Sequence, residues 1–305
     1  MLGAVLLYCA LLAMPPGAAA APAWTPSRYV ETVSHAYHKS LGCEVASRGV
    51  SGVTILLYGK PVRVDGAYGA SLYGGPNATT TQIASAVRQF AVGYAACAKG
   101  TFVNLVVATS NCCGQKSQVN FEHGAAWARM VNGLGSWLTA NGHAGTVRVR
   151  GGSDMEPAFN TTARTWRWWN GYHSVGRYYL YNVGSADGCP QTGTGRTNEP
   201  CSNGWRQSDI YGLSWHGVAV PMPQIYREDG AQARQWQQIK LYGIVSRGRS
   251  MTIMGALSQD LACKQRGCTT THNLPAEAWQ QLYSALNADP RTSQSLPYST
   301  DIGWR

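Results

Sequence analysis

Residues 102–109 read FVNLVVAT and residues 53–58 read VTILLY, two apolar runs that contain several β-branched side chains. Short apolar runs of this kind predict strands buried on both faces, as in parallel sheets covered by helices. The run 102–109 lies between two amphipathic segments, 79–98 and 121–141, each of which has helical spacing. Alternation of strands and helices is typical of α/β folds.

The two flanking helices have clear boundary signals. Thr79 and Gln82 form a capping-box pattern at the start of the first helix, and Gly142 follows the end of the second. Their apolar residues recur at helical spacing on one face, so each helix is expected to pack against the sheet through that face.

The same alternation continues through the chain. Further strands are predicted over residues 146–156, 178–182, 210–215, 220–226 and 250–257. Helices are predicted over residues 160–169, 230–237 and 275–287, and the tail SLPYSTDIGW is expected to add one last edge strand. Seven or eight such units predict a (β/α)8-like (TIM) barrel, with irregularities allowed. The alternative is an open doubly wound sheet. That fold usually has a glycine-rich phosphate loop after its first strand, whereas residues 57–61 read LYGKP.

Composition excludes several classes of protein. The chain has 305 residues, 25 basic and 15 acidic, with a net charge of +10, 44% hydrophobic and 13% charged residues. Such a chain is too apolar to be intrinsically disordered. Beyond the N-terminus no apolar run is long enough to span a membrane. The positive charge is spread along the chain, which disfavours nucleic-acid binding and suits attraction to an anionic cell-wall polymer, or solubility alone.

The N-terminus predicts export. Residues 2–20 contain an apolar run, a Pro-Pro-Gly break and small residues, the pattern of a secretory signal peptide cleaved after Ala20. The alternative is a buried N-terminal helix. Residues 21–305 are then expected to form one secreted, monomeric domain, with residues 184–204 as a loop over one face.

The cysteines also favour an oxidising compartment. Eight remain after the signal peptide, an even number that predicts disulfides. Short polar loops predict pairs between Cys189 and Cys201 and between Cys263 and Cys268. Three pairings stay open for the others, Cys43, Cys97, Cys112 and Cys113. The lack of a Cys-x-x-Cys motif disfavours zinc, so neither a metal nor another cofactor is expected.

The strand that ends in SDME carries the most informative acidic residues. Asp154 and Glu156 are two residues apart, so in a strand they point the same way, roughly 6–7 Å apart at Cα. Neighbouring carboxylates raise the proton affinity of one of them, which suits a general acid. The alternative is that Asp154 only binds loop backbone.

Other polar and aromatic residues are expected at strand ends, where barrel enzymes hold their active groups. The candidate substrate-binding residues are Tyr58, Asn111, Asn182, Trp215, His216, Gln224, Tyr226 and Asp260. The chain has 11 Trp and 16 Tyr but only 4 Phe, and side chains with a flat apolar face and a polar tip suit sugars. Two or three of the tryptophans are expected to line a cleft.

Together with the Asp-x-Glu strand end, the segments YYLYNVG (178–184), IYGLSWHG (210–217) and PMPQIY (221–226) resemble the muramidase-type lysozymes of glycoside hydrolase family 25 and related uncharacterised secreted actinobacterial proteins. The resemblance implies Glu156 as the catalytic acid, Asp154 as its charged neighbour, and Trp215 and Gln224 along the cleft. Those lysozymes have an Asp at the end of the first strand, where this chain has Leu57-Tyr58-Gly59. Asp260 or Asp301 is then the candidate for the second carboxylate.

Two functions follow from these observations. The first is a secreted glycoside hydrolase that acts on a cell-wall or extracellular polysaccharide, with Glu156 as general acid. The second is a barrel that binds such a polysaccharide without hydrolysing it.

Overall fold

The computed structural model describes residues 19–113 and 117–304, so most of the predicted signal peptide, residues 1–18, lies outside the described residues. Eight parallel strands form one sheet. Barrel strands that are consecutive along the chain lie side by side in it, with one exception described below. The barrel strands are β1 (Thr25–Tyr29), β2 (Gly52–Leu57), β6 (Val103–Ser110), β7 (Val147–Asp154), β8 (Leu180–Asn182), β9 (Ala219–Pro221), β10 (Gly255–Ser258) and β11 (Tyr298–Gly303).

The sheet is rolled into a nearly closed barrel. β9 and β10 are its first and last strands, and the segment after β9 joins them: the Ile225 amide donates to the Leu257 carbonyl, and the Leu257 amide donates to the Pro223 carbonyl, both at 2.9 Å. The α/β fold with a parallel, barrel-like sheet is therefore confirmed, and the open-sheet alternative is wrong.

Helices alternate with the barrel strands. They are α1 (His35–Ser47), α2 (Thr80–Cys97), α3 (Phe121–Ala140), α4 (Thr162–Val175), α5 (Gln207–Trp215), α6 (Ala231–Arg247), α7 (Asp260–Arg266) and α8 (Pro275–Asn287). Between β2 and α2 the chain makes a small antiparallel sheet of β3 (Lys60–Val64), β4 (Ala67–Ser71) and β5 (Asn77–Thr79). None of the helices within the described residues is long and apolar enough to cross a membrane.

Alternation along β2 separates the two parts of the core. Val53, Ile55 and Leu57 pack in one cluster with the residues of the barrel interior, while Leu56 and Tyr58 pack with the helices outside. This follows from the two-residue period of a strand. Tyr58 is buried in the outer layer, and its hydroxyl lies 3.0 Å from Nε2 of His38. The expectation that Tyr58 lines a cleft is therefore wrong.

Residues 210–215 were predicted as a strand and are instead part of α5. Helix α5 begins at Gln207, and Asp209 accepts a hydrogen bond from the Arg206 amide at 2.9 Å. Ile210 and Leu213 are buried at helical spacing, so the helical period, rather than the local apolar run, determines the structure. Trp215 and His216 therefore precede β9, at the amino-terminal end of the barrel, and do not follow a strand.

The tail was expected at an edge of the sheet. It forms β11, which pairs with β10 on one side and β1 on the other. Helix α6 extends to Arg247, beyond the predicted end at 237. Thr161, not Asn160, caps α4, because its hydroxyl accepts from the Arg164 amide.

Four disulfides connect the described cysteines. Cys189 is joined to Cys201, and Cys263 to Cys268. Of the three open pairings, the structure has Cys43 with Cys97 and Cys112 with its neighbour Cys113. Several disulfides of this kind are typical of extracellular proteins.

Candidate active site

The two carboxylates predicted from the sequence lie at the carboxyl end of β7. Asp154 is the last residue of that strand and is 5% exposed, whereas Glu156 is half-buried. Gln224, after β9, donates its amide Nε2 to Oδ1 of Asp154 at 2.8 Å. The side-chain amide of Gln224 thus holds Asp154, the buried member of the pair, in place.

Asn111 positions the backbone that carries Glu156. Its side-chain Nδ2 donates to the Glu156 carbonyl at 3.0 Å, and its Oδ1 accepts from the Glu156 amide at 3.1 Å. The Asn111 amide also donates to the Asp154 carbonyl at 3.0 Å. Asn111 was expected to contact substrate, but its side chain is engaged with the carboxylate loop.

Burial dominates the protonation of this pair. It raises the pKa of Asp154 well above the ordinary value, and the neighbouring Glu156 carboxylate raises that pKa further. Burial also raises the pKa of Glu156 to about 7, aided by the charge of Asp187 and opposed by hydrogen bonds from Gln224 and Asp154. At neutral pH the pair of carboxyl groups therefore holds at least one proton. Glu156, one member of the pair, is partly exposed.

Aromatic side chains stand beside the carboxylates. Tyr29, at the end of β1, packs edge-on against Tyr73 with ring centroids 5.0 Å apart, and Trp304 stacks on Tyr29 at 4.3 Å. Tyr29 also hydrogen-bonds to Tyr226, and burial raises the pKa of both hydroxyls, so they remain neutral donors. Asp154 and Glu156 contribute to both shifts, which places the tyrosines near them.

The rim beyond Trp304 is charged. The Arg266 guanidinium lies 3.3 Å from the ring centroid of Trp304 and forms an ion pair with Glu31 at 2.7 Å. Tyr29 stacks on one face of the Trp304 indole, and the Arg266 guanidinium covers the other, outer face. The indole is thereby fixed at the carboxyl end of β11.

Asn182 and Asp260, two other predicted site residues, have structural partners. Asn182 donates to Ser214 at 2.8 Å and accepts from the Gly184 amide. Asp260 forms an ion pair with Lys264 at 2.6 Å. Asp301 accepts the amides of Asp260 and Leu261, both at 2.9 Å, and so caps α7.

The structure brings together Asp154, Glu156, Gln224 and Tyr226, and separates Tyr58, Trp215 and His216 from them. Sequence reasoning missed four members of the site: Tyr29, Tyr73, Asp187 and Trp304. Tyr29 ends a strand that was not predicted, and Trp304 ends a strand that was assigned to an edge. Asp187 lies five residues after β8, just before the loop closed by Cys189 and Cys201, so a search of predicted strand ends does not reach it.

Within residues 19–113 and 117–304, no group of three or more His, Cys, Asp or Glu side chains is placed to hold a metal ion. No protein-family model matches the chain, and no curated protein matches it either. The chemistry of the site is therefore interpreted from its own residues.

Proposed function

We propose that this protein is an exported glycoside hydrolase that acts on a cell-wall or extracellular polysaccharide, with Glu156 as its general acid. The observation that carries the proposal is the pair of carboxyl groups at the carboxyl end of β7, linked by Gln224. Barrel enzymes hold their catalytic groups at this end. The resemblance to muramidase-type lysozymes makes peptidoglycan the first substrate to test.

Glu156 has the properties that a general acid needs. With a pKa of about 7 it is about half protonated at neutral pH and mostly protonated below it, and it is partly exposed, so a substrate oxygen can reach it. It would transfer its proton to the glycosidic oxygen as the bond from that oxygen to the anomeric carbon breaks. Asp154 and Gln224, which hydrogen-bond to Glu156, would stabilise the carboxylate that remains.

Asp187 is the best candidate for a second carboxylate. Its charge raises the pKa of both Asp154 and Glu156, so it lies within electrostatic range of the pair. Its carbonyl accepts the Ser202 amide at 3.0 Å, which ties its loop to the segment after the Cys189–Cys201 disulfide. In the proposed reaction Asp187 stabilises positive charge at the anomeric carbon or activates water. Asp260 and Asp301 have the structural partners described above.

The aromatic wall supplies the contacts that a sugar ring needs. Tyr29 and Tyr73 are each half-buried, so each presents part of a ring near the carboxylates, whereas Trp304, stacked between Tyr29 and Arg266, presents only an edge. Flat aromatic faces pack against the C–H faces of pyranoses, and neutral tyrosine hydroxyls donate to sugar oxygens.

A non-catalytic polysaccharide-binding barrel is the second candidate. The burial of Asp154 and its hydrogen bond to Gln224 favour it, because a buried, hydrogen-bonded carboxyl can serve to stabilise the loop alone. The two candidates differ in whether Glu156 must exchange a proton.

The test is a release assay on the purified, disulfide-intact protein. Peptidoglycan, chitin, arabinan and galactan are incubated with wild type, Glu156→Gln and Glu122→Gln, and new reducing ends are counted. Glu122 is exposed in the first turn of α3 and is a matched control for the loss of one carboxylate. We expect release by wild type and Glu122→Gln, and at least about a hundredfold less by Glu156→Gln.

Equal release by Glu156→Gln and wild type would overturn Glu156 as the acid. If wild type releases nothing from any of the four polymers but is retained by one, the binding barrel replaces the hydrolase. The circular dichroism spectrum of Glu156→Gln verifies that the variant is folded.

A further inference from the structure

A second group of aromatic and basic side chains lies on the outer wall of the barrel. It forms a groove of about 520 Å³ between α4, α5 and the end of α6. The residues that matter here are Trp166, Trp169, His173, His216, Arg247 and Arg249. We refer to these six residues as the basic groove.

The basic groove runs along the outer wall of the barrel, and its basic residues lie at the opposite end of the barrel from Glu156. His173 lies near the end of α4, His216 directly follows α5, and Arg247 is the last residue of α6. These helices lead into β8, β9 and β10 respectively, so their carboxyl ends lie where those strands begin. Glu156 lies where β7 has ended.

The aromatic rings of the groove are in mutual contact. Trp169 stacks with His173, ring centroids 4.8 Å apart, lies 5.6 Å from His216, and meets Trp166 edge-on at 5.5 Å. Two glycines permit this packing. A Cβ on Gly212 would lie 2.8 Å from the Trp166 ring, and one on Gly217, whose φ is +56°, would lie 2.3 Å from the His173 ring.

The charge of the groove has one sign. Arg247, Arg249, His173 and His216 are exposed, and no Asp or Glu is among the described residues that line it. The nearest contact with an acid is the hydrogen bond from Trp166 Nε1 to Asp209 at 3.3 Å, and Asp209 also accepts the Arg206 amide. Trp169 Nε1 is buried without an acceptor among the described residues.

We propose that the basic groove binds an acidic polysaccharide, a pyranose chain that carries carboxylate groups. Two arginines can pair with carboxylates, and the indole and imidazole rings can pack against pyranose faces. The groove would hold the polymer on the wall of the barrel while the carboxyl end stays free. This goes beyond the proposed hydrolase activity, because binding in the groove requires none of the carboxyl groups at the active site.

The test measures binding to immobilised polygalacturonate at physiological ionic strength. Fully methyl-esterified polygalacturonate has the same sugar backbone without the charge, so it isolates the role of the carboxylates. The variants are Arg247→Gln/Arg249→Gln, Trp166→Ala, and Lys39→Gln/Lys99→Gln, which removes two exposed charges elsewhere. Glu156→Gln is measured in parallel.

We expect the arginine double variant to raise the Kd at least tenfold, Trp166→Ala to raise it several-fold, and the lysine double variant and Glu156→Gln to leave it within about twofold. Methyl esterification should abolish binding by wild type. Thermal unfolding shows whether each variant is folded.

Three results would overturn the proposal: no binding of wild type to polygalacturonate, equal binding to the esterified polymer, or equal weakening by the lysine and arginine double variants. The last would show that diffuse charge accounts for binding. Loss of hydrolysis in Glu156→Gln with retained groove binding would separate this proposal from the proposed function.

Discussion

The two ends of the barrel present opposite chemistry. At the carboxyl end, Asp154 and Glu156 are buried or half-buried beside tyrosines, and burial raises the pKa of both acids. At the amino-terminal end, Arg247 and Arg249 are exposed beside Trp166, and no acid lines the basic groove among the described residues. One end is built to keep protons on carboxyl groups, and the other to attract anions.

Two tryptophans, Trp166 and Trp169, belong to the basic groove and not to the carboxylate site. In the sequence Trp166 and Trp169 come soon after the carboxylate pair. Helix α4 carries them away from the carboxyl end, because a helix that follows a parallel strand runs back along the barrel. The proposed catalytic and polymer-holding surfaces can therefore be altered independently, and the following predictions test that independence.

The largest effect is expected from Asp154→Ala. Without Asp154, Glu156 loses a hydrogen bond that lowers its pKa, so the alkaline limb of the pH–rate profile should move to higher pH. Hydrolysis should fall about tenfold to a hundredfold, because Asp154 no longer stabilises the Glu156 carboxylate that remains after proton transfer, a smaller loss than the 10²- to 10⁴-fold that general acid catalysis itself contributes. Reducing-end release across pH measures both changes.

Asp154→Asn is the matched control, because its amide can still donate a hydrogen bond, and its alkaline limb should move less. Binding to polygalacturonate should be unchanged in both variants, which also shows that they are folded. If Asp154→Ala weakens groove binding tenfold, the two ends are coupled and the comparison fails.

The fold was predictable where the pattern is local. The segments 53–58, 79–98 and 102–109 are predicted from their own apolar period and capping residues, and the structure contains all three elements. The short strand β1, TPSRY, lacks such a pattern. Several of its buried polar groups are satisfied through residues distant in sequence, such as the 2.7 Å hydrogen bond between Ser27 and Thr300.

The candidate site was likewise predictable only where its residues lie on strands that have a local sequence pattern. Asp154, Glu156, Gln224 and Tyr226 lie at the carboxyl ends of predicted strands, so a barrel brings them together. Tyr29 is the last residue of β1 and Trp304 directly follows β11, and these two strands, which are far apart in sequence, pair with Thr25 opposite Thr300. No local signal reports that pairing, and two of the three residues of the aromatic wall, Tyr29 and Trp304, were missed for this reason.

An effect of intermediate size is expected on the free energy of unfolding when Glu156 is replaced by Gln. The pKa of Glu156 rises from its ordinary 4.5 to about 7 on folding. Between these values the folded protein binds more protons than the unfolded chain, so the stabilising contribution of this group is lost as pH rises through about 7. Glu156→Gln should therefore be more stable than wild type at pH 8, by about 1–3 kcal/mol.

The difference should shrink towards zero near pH 4.5, where both states carry a protonated Glu156. Urea unfolding at several pH values measures it, and Glu122→Gln should differ little from wild type throughout. A constant difference at all pH values would mean that titration of Glu156 is not its source.

The smallest effect is expected from Gly212→Ala, which alters only the basic groove. Alanine favours the helix by about 1 kcal/mol over glycine, but the new Cβ would lie 2.8 Å from Trp166, so the ring must move. Stability should change by less than about 1 kcal/mol because the two effects oppose each other, while the Kd for polygalacturonate should rise several-fold. Gly133→Ala, in α3, meets nothing within 4 Å and should be stabilised without any change in binding. If both variants bind as wild type does, the position of Trp166 does not shape the groove, and the arginines alone account for the attraction.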